Sequence, residues 1–281
     1  MTESSPLEMR DTLEMVRVLG KAEIEFAGSL TAPLFCLMTD EAGNVKSHGG
    51  SMFFLDAGVG AFAVTAAHVV VACLVDSQRP GFLRCVIARD GTAPFSLNLQ
   101  DRIISIHEGI DIATLRFSPD EIRLIGRTVL TGFQRDWPPR LCMEEGFVTY
   151  AGWPGVGRRW INSKEIVSGL VVMAGKVTSS HENCVSVQIE REALERVLGT
   201  EDMPENFDFG GMSGGPALQI VSRGGLRGWV LAGIVFQGPN PTGDSSQSIT
   251  GLEIIRIRPA HFINADGTLD IIRWEQSQSP S

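Results

Sequence analysis

The feature that most constrains this chain of 281 residues is a long succession of short segments with β-type patterning, separated by turn residues. Such a succession favours antiparallel sheets folded into sandwiches or barrels. In the first half the predicted strands cover 29–38, 51–56, 60–66, 82–89, 95–100, 102–106 and 111–117. In the second half they cover 147–152, 166–178, 184–189, 217–222, 228–236 and 249–257. The chain is therefore expected to be mostly β, with an irregular stretch at 118–145 linking two halves.

Helices are predicted only at a few places. Ser5-Pro6-Leu7-Glu8 reads as a capping box, and apolar residues then recur at helical spacing, which predicts a helix over 6–19 that ends before Gly20. A short helix is expected at 190–198, a helical turn at 259–264 and a frayed tail at 276–281. The N-terminal helix has two interpretations, a cover for a barrel edge or a docking site for a regulatory protein partner.

Composition excludes several functional classes. Hydrophobic residues make up 43% of the chain, enough for a sizeable core. The sequence contains no run of about 18 apolar residues, so it predicts no membrane-spanning helix. The start lacks a basic segment followed by an apolar stretch, so the expected location is the cytoplasm. A net charge of −9, with 24 basic against 33 acidic residues, makes nucleic acid an improbable partner.

The cysteines predict neither disulfides nor a metal site. There are five, an odd number, and they are widely scattered without a C-x-x-C pattern or a histidine at metal-ligand spacing. We therefore expect buried, reduced thiols, with no metal and no cofactor. They are Cys36, Cys73, Cys85, Cys142 and Cys184.

Three short motifs contain a histidine, an aspartate and a serine, in that order along the chain. His68 ends Thr65-Ala66-Ala67-His68, Asp111 opens Asp111-Ile112-Ala113, and Ser213 lies in Gly211-Met212-Ser213-Gly214-Gly215-Pro216. A serine hydroxyl is a weak nucleophile unless a base takes its proton, and that base needs a third group to orient it. Each residue alone would be unremarkable, but their joint occurrence points to a serine protease.

These motifs resemble those of the trypsin-like (chymotrypsin-fold) serine peptidases, in particular the disulfide-free bacterial branch. Gly49-Gly50-Ser51-Met52-Phe53-Phe54 is similar to the strand that enters the first barrel of that family. The segments 151–155 and 233–238 are similar to the start of the second barrel and to the strand beside the substrate. The resemblance therefore covers the body of the chain.

The resemblance implies two six-stranded antiparallel β-barrels with the active site in the cleft between them. An N-terminal helical extension would cover 1–28, and 259–281 would form a helical turn and tail. The first barrel, 29–135, would carry His68 and Asp111, and the second, 136–258, would carry Ser213. Ser213 would attack the scissile carbonyl, His68 would shuttle the proton, and Asp111 would orient the imidazole.

The same resemblance implies an oxyanion hole and a substrate pocket. The backbone N–H groups of Gly211 and Ser213 would bind the oxyanion, and Gly211 is expected at positive φ. The expected substrate-binding residues are Phe207, Asp208, Phe236, Gln237 and Gly238. Asp208 has a second interpretation, as a cap for the turn that follows it.

The sequence departs from the family at three of these positions. Met212 replaces the aspartate that pairs with a new N-terminus on activation, so the oxyanion loop is either preformed or set by a partner. Phe207 replaces the residue that selects the P1 side chain, which favours a small or medium apolar P1 residue. Phe236 replaces a serine that binds the catalytic aspartate, so Asp111 must rely on other donors.

Alternative functions follow from the same residues. Gly211 to Gly215 also fits the nucleophile elbow of α/β-hydrolases, with Asp244 and His261 downstream, but the flanking residues predict a hairpin around Gly224-Gly225 where an elbow requires a helix. The leading hypothesis is an endopeptidase that acts on protein or peptide substrates through an acyl-enzyme. One variant is a latent cytoplasmic effector that a partner activates. The rival is an inactive protease-fold module that binds peptides by strand addition along 236–238.

Overall fold

The computed structural model describes most of the chain. The described residues are 20–89, 92–131, 137–157, 159–162, 165–167, 169–189, 207–223, 226–239 and 253–278. Within them the protein is mostly β, with few helices, as the sequence predicts. The predicted helices at 6–19 and 190–198 and the turn residues Asp90-Gly91 and Gly224-Gly225 lie outside the described residues.

The first half forms one sheet of eight strands. Its strands are β1 (Thr31–Thr39), β2 (Val45–Asp56), β3 (Ala61–Thr65), β4 (Phe82–Arg89), β5 (Thr92–Leu97), β6 (Ile103–His107), β7 (Ile112–Arg116) and β8 (Val129–Leu130). Their order is β5-β4-β1-β2-β3-β7-β6, and β8 pairs in parallel with β2. The predicted six-stranded closed barrel is therefore wrong for this half, because β5 and β6 form the two ends of the sheet without pairing with each other.

The second half closes into a six-stranded antiparallel barrel, as predicted. Its strands are β9 (Phe147–Gly152), β12 (Val171–His181), β13 (Cys184–Ile189), β14 (Pro216–Arg223), β15 (Leu226–Gln237) and β16 (Glu253–Pro259), in the order β12-β13-β16-β15-β14-β9. Two further strands, β10 (Arg159–Asn162) and β11 (Glu165–Val167), form a separate hairpin. Alternate side chains such as Val185 and Val187 point inward and are fully buried in the barrel core.

Four helices are described. Residues 20–30 belong to α1, and the others are α2 (Ala67–Ser77), α3 (Pro119–Ile125) and α4 (Ile271–Ser277). Because residue 20 is itself helical, Gly20 does not end the first helix as predicted. The predicted turn at 259–264 contains a short 3-10 helix over Ala260–Phe262. None of the helices within the described ranges has the length and apolar character needed to span a membrane.

One hydrophobic cluster joins the two halves. Leu30 of α1 is fully buried together with Phe53 of β2 and Ile234 of β15. The ring of Phe26 stacks on Trp229 of β15 with 4.6 Å between ring centroids. The described part of α1 therefore belongs to the core and fixes the two halves against each other.

Helix α3 lies within the stretch 118–145, which was predicted to be irregular, and it begins with a capping box. Ser118 Oγ accepts a hydrogen bond from Glu121 N–H at 3.2 Å, and Glu121 Oε2 accepts one from Ser118 N–H at 2.8 Å. Arg102 Nη2 also contacts Glu121 Oε1 at 2.7 Å. The Arg102 guanidinium, with the Ser118 N–H, lowers the pKa of Glu121 to about 2. Glu121 therefore links α3 to Arg102, which lies in the turn between β5 and β6.

Glu121→Gln should lower the free energy of unfolding by about 1 kcal/mol at neutral pH, because it removes the charge from this cap. A carboxyl whose pKa is depressed by folding stabilises above its unfolded pKa and loses that effect as the pH falls toward the folded value. The difference from the wild type should thus be complete above about pH 4.5 and vanish near pH 2. Urea unfolding over this pH range measures it.

Asp120→Asn is the matched control for that measurement. Asp120 lies in the same helical turn, but its ion pair with Arg123 is solvent-exposed on both sides. Exposed pairs contribute little to stability. If Asp120→Asn and Glu121→Gln proved equally destabilising, the Arg102 contact would not be the cause.

Candidate functional site

His68 and Asp111 form a hydrogen-bonded pair at the surface of the first half. His68 Nδ1 lies 2.8 Å from Asp111 Oδ2 and 3.0 Å from Oδ1. The His68 backbone N–H donates to the same Oδ1 at 3.0 Å. The His68 side chain is 51% exposed, whereas that of Asp111 is only 15% exposed. The carboxylate thus fixes the imidazole through Nδ1 and leaves the Nε2 edge available for a reacting group.

Local structure holds both residues in place. His68 is the second residue of α2, directly after β3, and Asp111 immediately precedes β7. Because β3 pairs with β7, these two positions meet at one end of the sheet. Asp111 has a φ of 59°, a left-handed conformation that aspartate tolerates better than most residues, and its N–H donates to His107 O at 2.9 Å. A non-glycine residue in this conformation is typical of functional sites.

The loop that carries Ser213 is fixed by its own backbone. Met212 N–H donates to Phe209 O at 3.0 Å, and Gly214 N–H donates to Val235 O at 2.7 Å. Gly211 has a φ of 99°, as expected from the sequence. The N–H groups of Gly211 and Ser213 have no hydrogen-bond acceptor among the described residues. Within the described ranges, the loop therefore presents two backbone donors without an acceptor, one of them on the serine itself.

Ser51 of β2 ties this loop to the first half. Its hydroxyl donates to Gly211 O at 2.8 Å and accepts from Trp153 N–H at 2.8 Å. Its N–H donates to Ser213 O at 2.8 Å, and its carbonyl accepts from Thr65 Oγ1 at 2.7 Å. The N–H groups of the two peptides that Ser51 holds, those of Met212 and Gly214, donate within the second half. The peptides that carry the N–H groups of Gly211 and Ser213 are held by other bonds, because Gly210 O accepts from Gly155 N–H and Met212 O accepts from Gly215 N–H.

Small residues allow the close approach of loop and sheet. A Cβ at Gly214 would collide with Ser51 O and Thr65 Oγ1 and would lie 2.9 Å from Ala66 N. A Cβ at Gly50 would lie 2.6 Å from Ser213 O. Gly214, the residue after Ser213, therefore packs directly against Thr65 and Ala66, which precede His68.

The structure thus brings the three predicted residues to one region of the molecule. No hydrogen bond joins Ser213 to the His68 ring in the part of the chain that is described. Hydrogen bonds between nucleophile and base are often long before substrate binds and tighten in the complex. The described hydrogen bonds thus fix the imidazole and its carboxylate and hold the serine loop against the segment that precedes them.

Two of the predicted substrate-binding residues, Phe207 and Gly238, contact Phe209. The ring of Phe207 packs edge-on against Phe209 with 5.0 Å between centroids, and a Cβ at Gly238 would be 2.9 Å from Phe209 Cβ. Asp208 is exposed, and its Oδ1 accepts from Gly210 N–H at 2.7 Å, so it adopts the turn-capping role. Gln237 accepts from Arg256 through Oε1 at 3.2 Å.

Sequence reasoning missed Arg258 of β16. Arg258 is 7% exposed, and its guanidinium lies 4.3 Å from the Phe236 ring centroid and 4.7 Å from that of Trp274 and donates to Asn183 O. Burial lowers the pKa of Arg258, and interactions with Cys184 and Asp111 oppose this effect. Arg258 is therefore a buried cation whose electrostatic field reaches Asp111. No sequence signal marks it, because its burial depends on α4, a helix that was not predicted.

The nucleophile-elbow alternative does not fit the structure. The loop after Ser213 leads into β14, a strand, whereas the elbow requires a helix. His261, which that fold would need as its base, is buried, packs against Phe262 and has its pKa lowered to about 4 by burial. Asp244 lies outside the described residues.

Comparison with known proteins gives no family. No family model matches the sequence, and no curated protein matches it. One similar solved structure comes from work on aromatic interactions in the coupled folding and binding of the intrinsically disordered VPg protein of Sesbania mosaic virus. The two chains are 16% identical, the match covers 84% of this chain and 94% of the other, and the TM-score is 0.42. A similarity of this size carries no conclusion about function.

Ser51→Ala should destabilise the protein by about 1–3 kcal/mol, because it removes two buried hydrogen bonds that involve Gly211 and Trp153. Thermal and denaturant unfolding measure the change. Ser47→Ala is the control on the same strand, since the Ser47 hydroxyl makes no hydrogen bond to any described residue. Equal stability of the two variants would show that Ser51 does not join the halves.

Proposed function

We propose that this protein is a serine endopeptidase of the trypsin-like type that cleaves protein or peptide substrates through an acyl-enzyme. The observation that supports this most is the His68–Asp111 pair beside a serine loop with two unpaired N–H groups. In this proposal the open first sheet corresponds to the first barrel of that family, and the closed barrel of the second half to the second.

Each of these groups has a defined role in the proposed reaction. Ser213 Oγ attacks the scissile carbonyl while His68 Nε2 takes its proton, and the imidazolium is stabilised by Asp111. The developing oxyanion accepts hydrogen bonds from the N–H groups of Gly211 and Ser213, each worth on the order of 3 kcal/mol to the barrier. His68 then returns the proton to the leaving amine, and water hydrolyses the acyl-enzyme by the reverse sequence.

The loop needs no partner to reach this conformation in the proposal. Gly211 is already at positive φ, and Ser51, Phe209 and Val235 supply the hydrogen bonds that hold the loop. A preformed oxyanion loop favours a constitutively competent site over a site that a partner must assemble. Regulation by a partner, if present, would then act on substrate access.

A fluorophosphonate probe should label wild-type protein covalently at Ser213. Ser213→Ala should abolish labelling, and His68→Ala should slow it by about 100-fold or more, because the general base is lost. Intact-mass spectrometry gives the rate, and peptide mapping gives the labelled residue. Ser47→Ala is the matched serine control and should label at the wild-type rate.

The result also separates the endopeptidase from a peptide-binding module. If the folded wild-type protein takes up no probe but binds extended peptides, the inactive module is the better description. Labelling at a serine other than Ser213 would contradict the assignment of the nucleophile.

Arg258→Met should slow fluorophosphonate labelling by about tenfold, because the buried charge that attracts the Asp111 carboxylate is lost. Arg258→Lys retains a positive charge and should recover much of the rate. Labelling kinetics at matched thermal stability measure both. Equal rates for Arg258→Met and wild type would show that Asp111 depends on His68 alone.

A further inference from the structure

The fold gathers three cysteines and a histidine that the sequence keeps far apart. In the register of the first sheet, Cys36 of β1 lies directly opposite His48 of β2 on one side and Cys85 of β4 on the other. Directly opposed residues of antiparallel strands point to the same face. Cys73 of α2 packs onto this face from above, in the same buried cluster. Four side chains that can bind a soft metal therefore converge at one point.

The distances fit one tetrahedral ion. Cys36 Sγ and Cys85 Sγ are 3.4 Å apart, and the ligand atoms of Cys36, His48 and Cys73 all lie within 4.8 Å of one another. In a tetrahedral zinc site with Zn–S bonds of about 2.3 Å, the sulfur atoms are about 3.8 Å apart, and sulfur and nitrogen about 3.6 Å. Cys36, His48 and Cys73 thus lie close to this geometry, and Cys85 joins them through its contact with Cys36, so adjustment of side-chain positions would complete a four-ligand site.

A carboxylate holds the histidine ring at this place. His48 Nε2 lies 2.7 Å from Asp76 Oδ2, and Asp76 in turn pairs with Arg79. Because Nε2 is engaged by the carboxylate, Nδ1 is the ring nitrogen that is left to bind a metal. Metal-binding histidines commonly donate their other ring nitrogen to a carboxylate, which fixes the orientation of the ring.

We propose that Cys36, Cys73, Cys85 and His48 bind one structural Zn²⁺ ion. Three sulfur donors and one imidazole form a closed Cys₃His set, which leaves no open position for catalysis. The thiols bind as thiolates, so Zn²⁺ displaces their protons to solvent and the centre carries a net charge of −1. The three cysteines are 3% exposed or less, which shields the bonds from exchange.

Zinc explains this cluster better than a disulfide does. All five cysteines are free. A Cys36–Cys85 bridge would use two thiols and would not explain why Cys73 and His48 lie beside Cys36. Zinc uses all four groups. It would also pin α2 to three strands at Cys73, about 8 Å along the helix from His68. The ion would thus rigidify the helix that begins with the His68 segment.

Metal analysis of the full-length protein, purified without chelator under reducing conditions, tests the proposal. We expect about one zinc per chain and no other stoichiometric metal. Replacement by Co²⁺ should give thiolate-to-cobalt charge-transfer absorption and the visible bands of a tetrahedral site. Cys73→Ser should lose the metal, and Asp76→Asn should weaken zinc affinity by about 10- to 100-fold.

Cys142→Ser is the matched control, because Cys142 is equally buried but lies in the core of the barrel of the second half. It should keep the full metal content. Because Cys73→Ser could unfold the protein, the wild-type measurements decide. The proposal would be overturned if the wild-type protein contained no zinc, did not bind Co²⁺ and showed five free thiols on denaturation. Three free thiols, with Cys36 and Cys85 bridged, would replace it by a disulfide.

Discussion

The organisation of the candidate site depends on the hydrogen bonds of one buried residue, Ser51. It is fully buried and holds the carbonyls of Gly211 and Ser213 on one side of the loop, while its own carbonyl is held by Thr65. Gly214 must lack a side chain for this contact, because a Cβ there would collide with Ser51 O. The loop of the second half is therefore held partly by its own half and partly by a strand of the first, and this coupling brings the candidate residues of the two halves to one region.

The electrostatics of the site follow from unequal exposure. Asp111 is mostly withdrawn from solvent and accepts both the ring and the backbone N–H of His68, whereas the imidazole reaches water. A charge in such a position interacts more strongly with its partner than it would at the surface. The buried guanidinium of Arg258, which lies near the rings of Phe236 and Trp274, adds a positive charge whose field reaches the carboxylate. The donors to Asp111 are the ring Nδ1 and the backbone N–H of His68.

Local pattern predicted the strands well and the long-range arrangement poorly. The bounds of β4 and β9 agree with the sequence to the residue, because alternation and turns mark them. Helix α2 was missed, since its valine run favours a strand and it has no side-chain cap; burial of Val69 and Cys73 stabilises it. The three triad candidates could be proposed from the sequence because each lies in a distinctive local motif. Sheet closure, Arg258 and the cysteine cluster were not found, because they depend on contacts between residues distant in sequence.

The most direct test of the account is a crystal structure of the protein after reaction with a small organophosphonate. We predict a phosphorus atom bonded to Ser213 Oγ, with one oxygen about 2.7–3.1 Å from the N–H groups of both Gly211 and Ser213 and with His68 on the opposite side. The Asp111 contact to Nδ1 should be unchanged. An unmodified Ser213, or an adduct whose oxygen points away from these two N–H groups, would contradict the account.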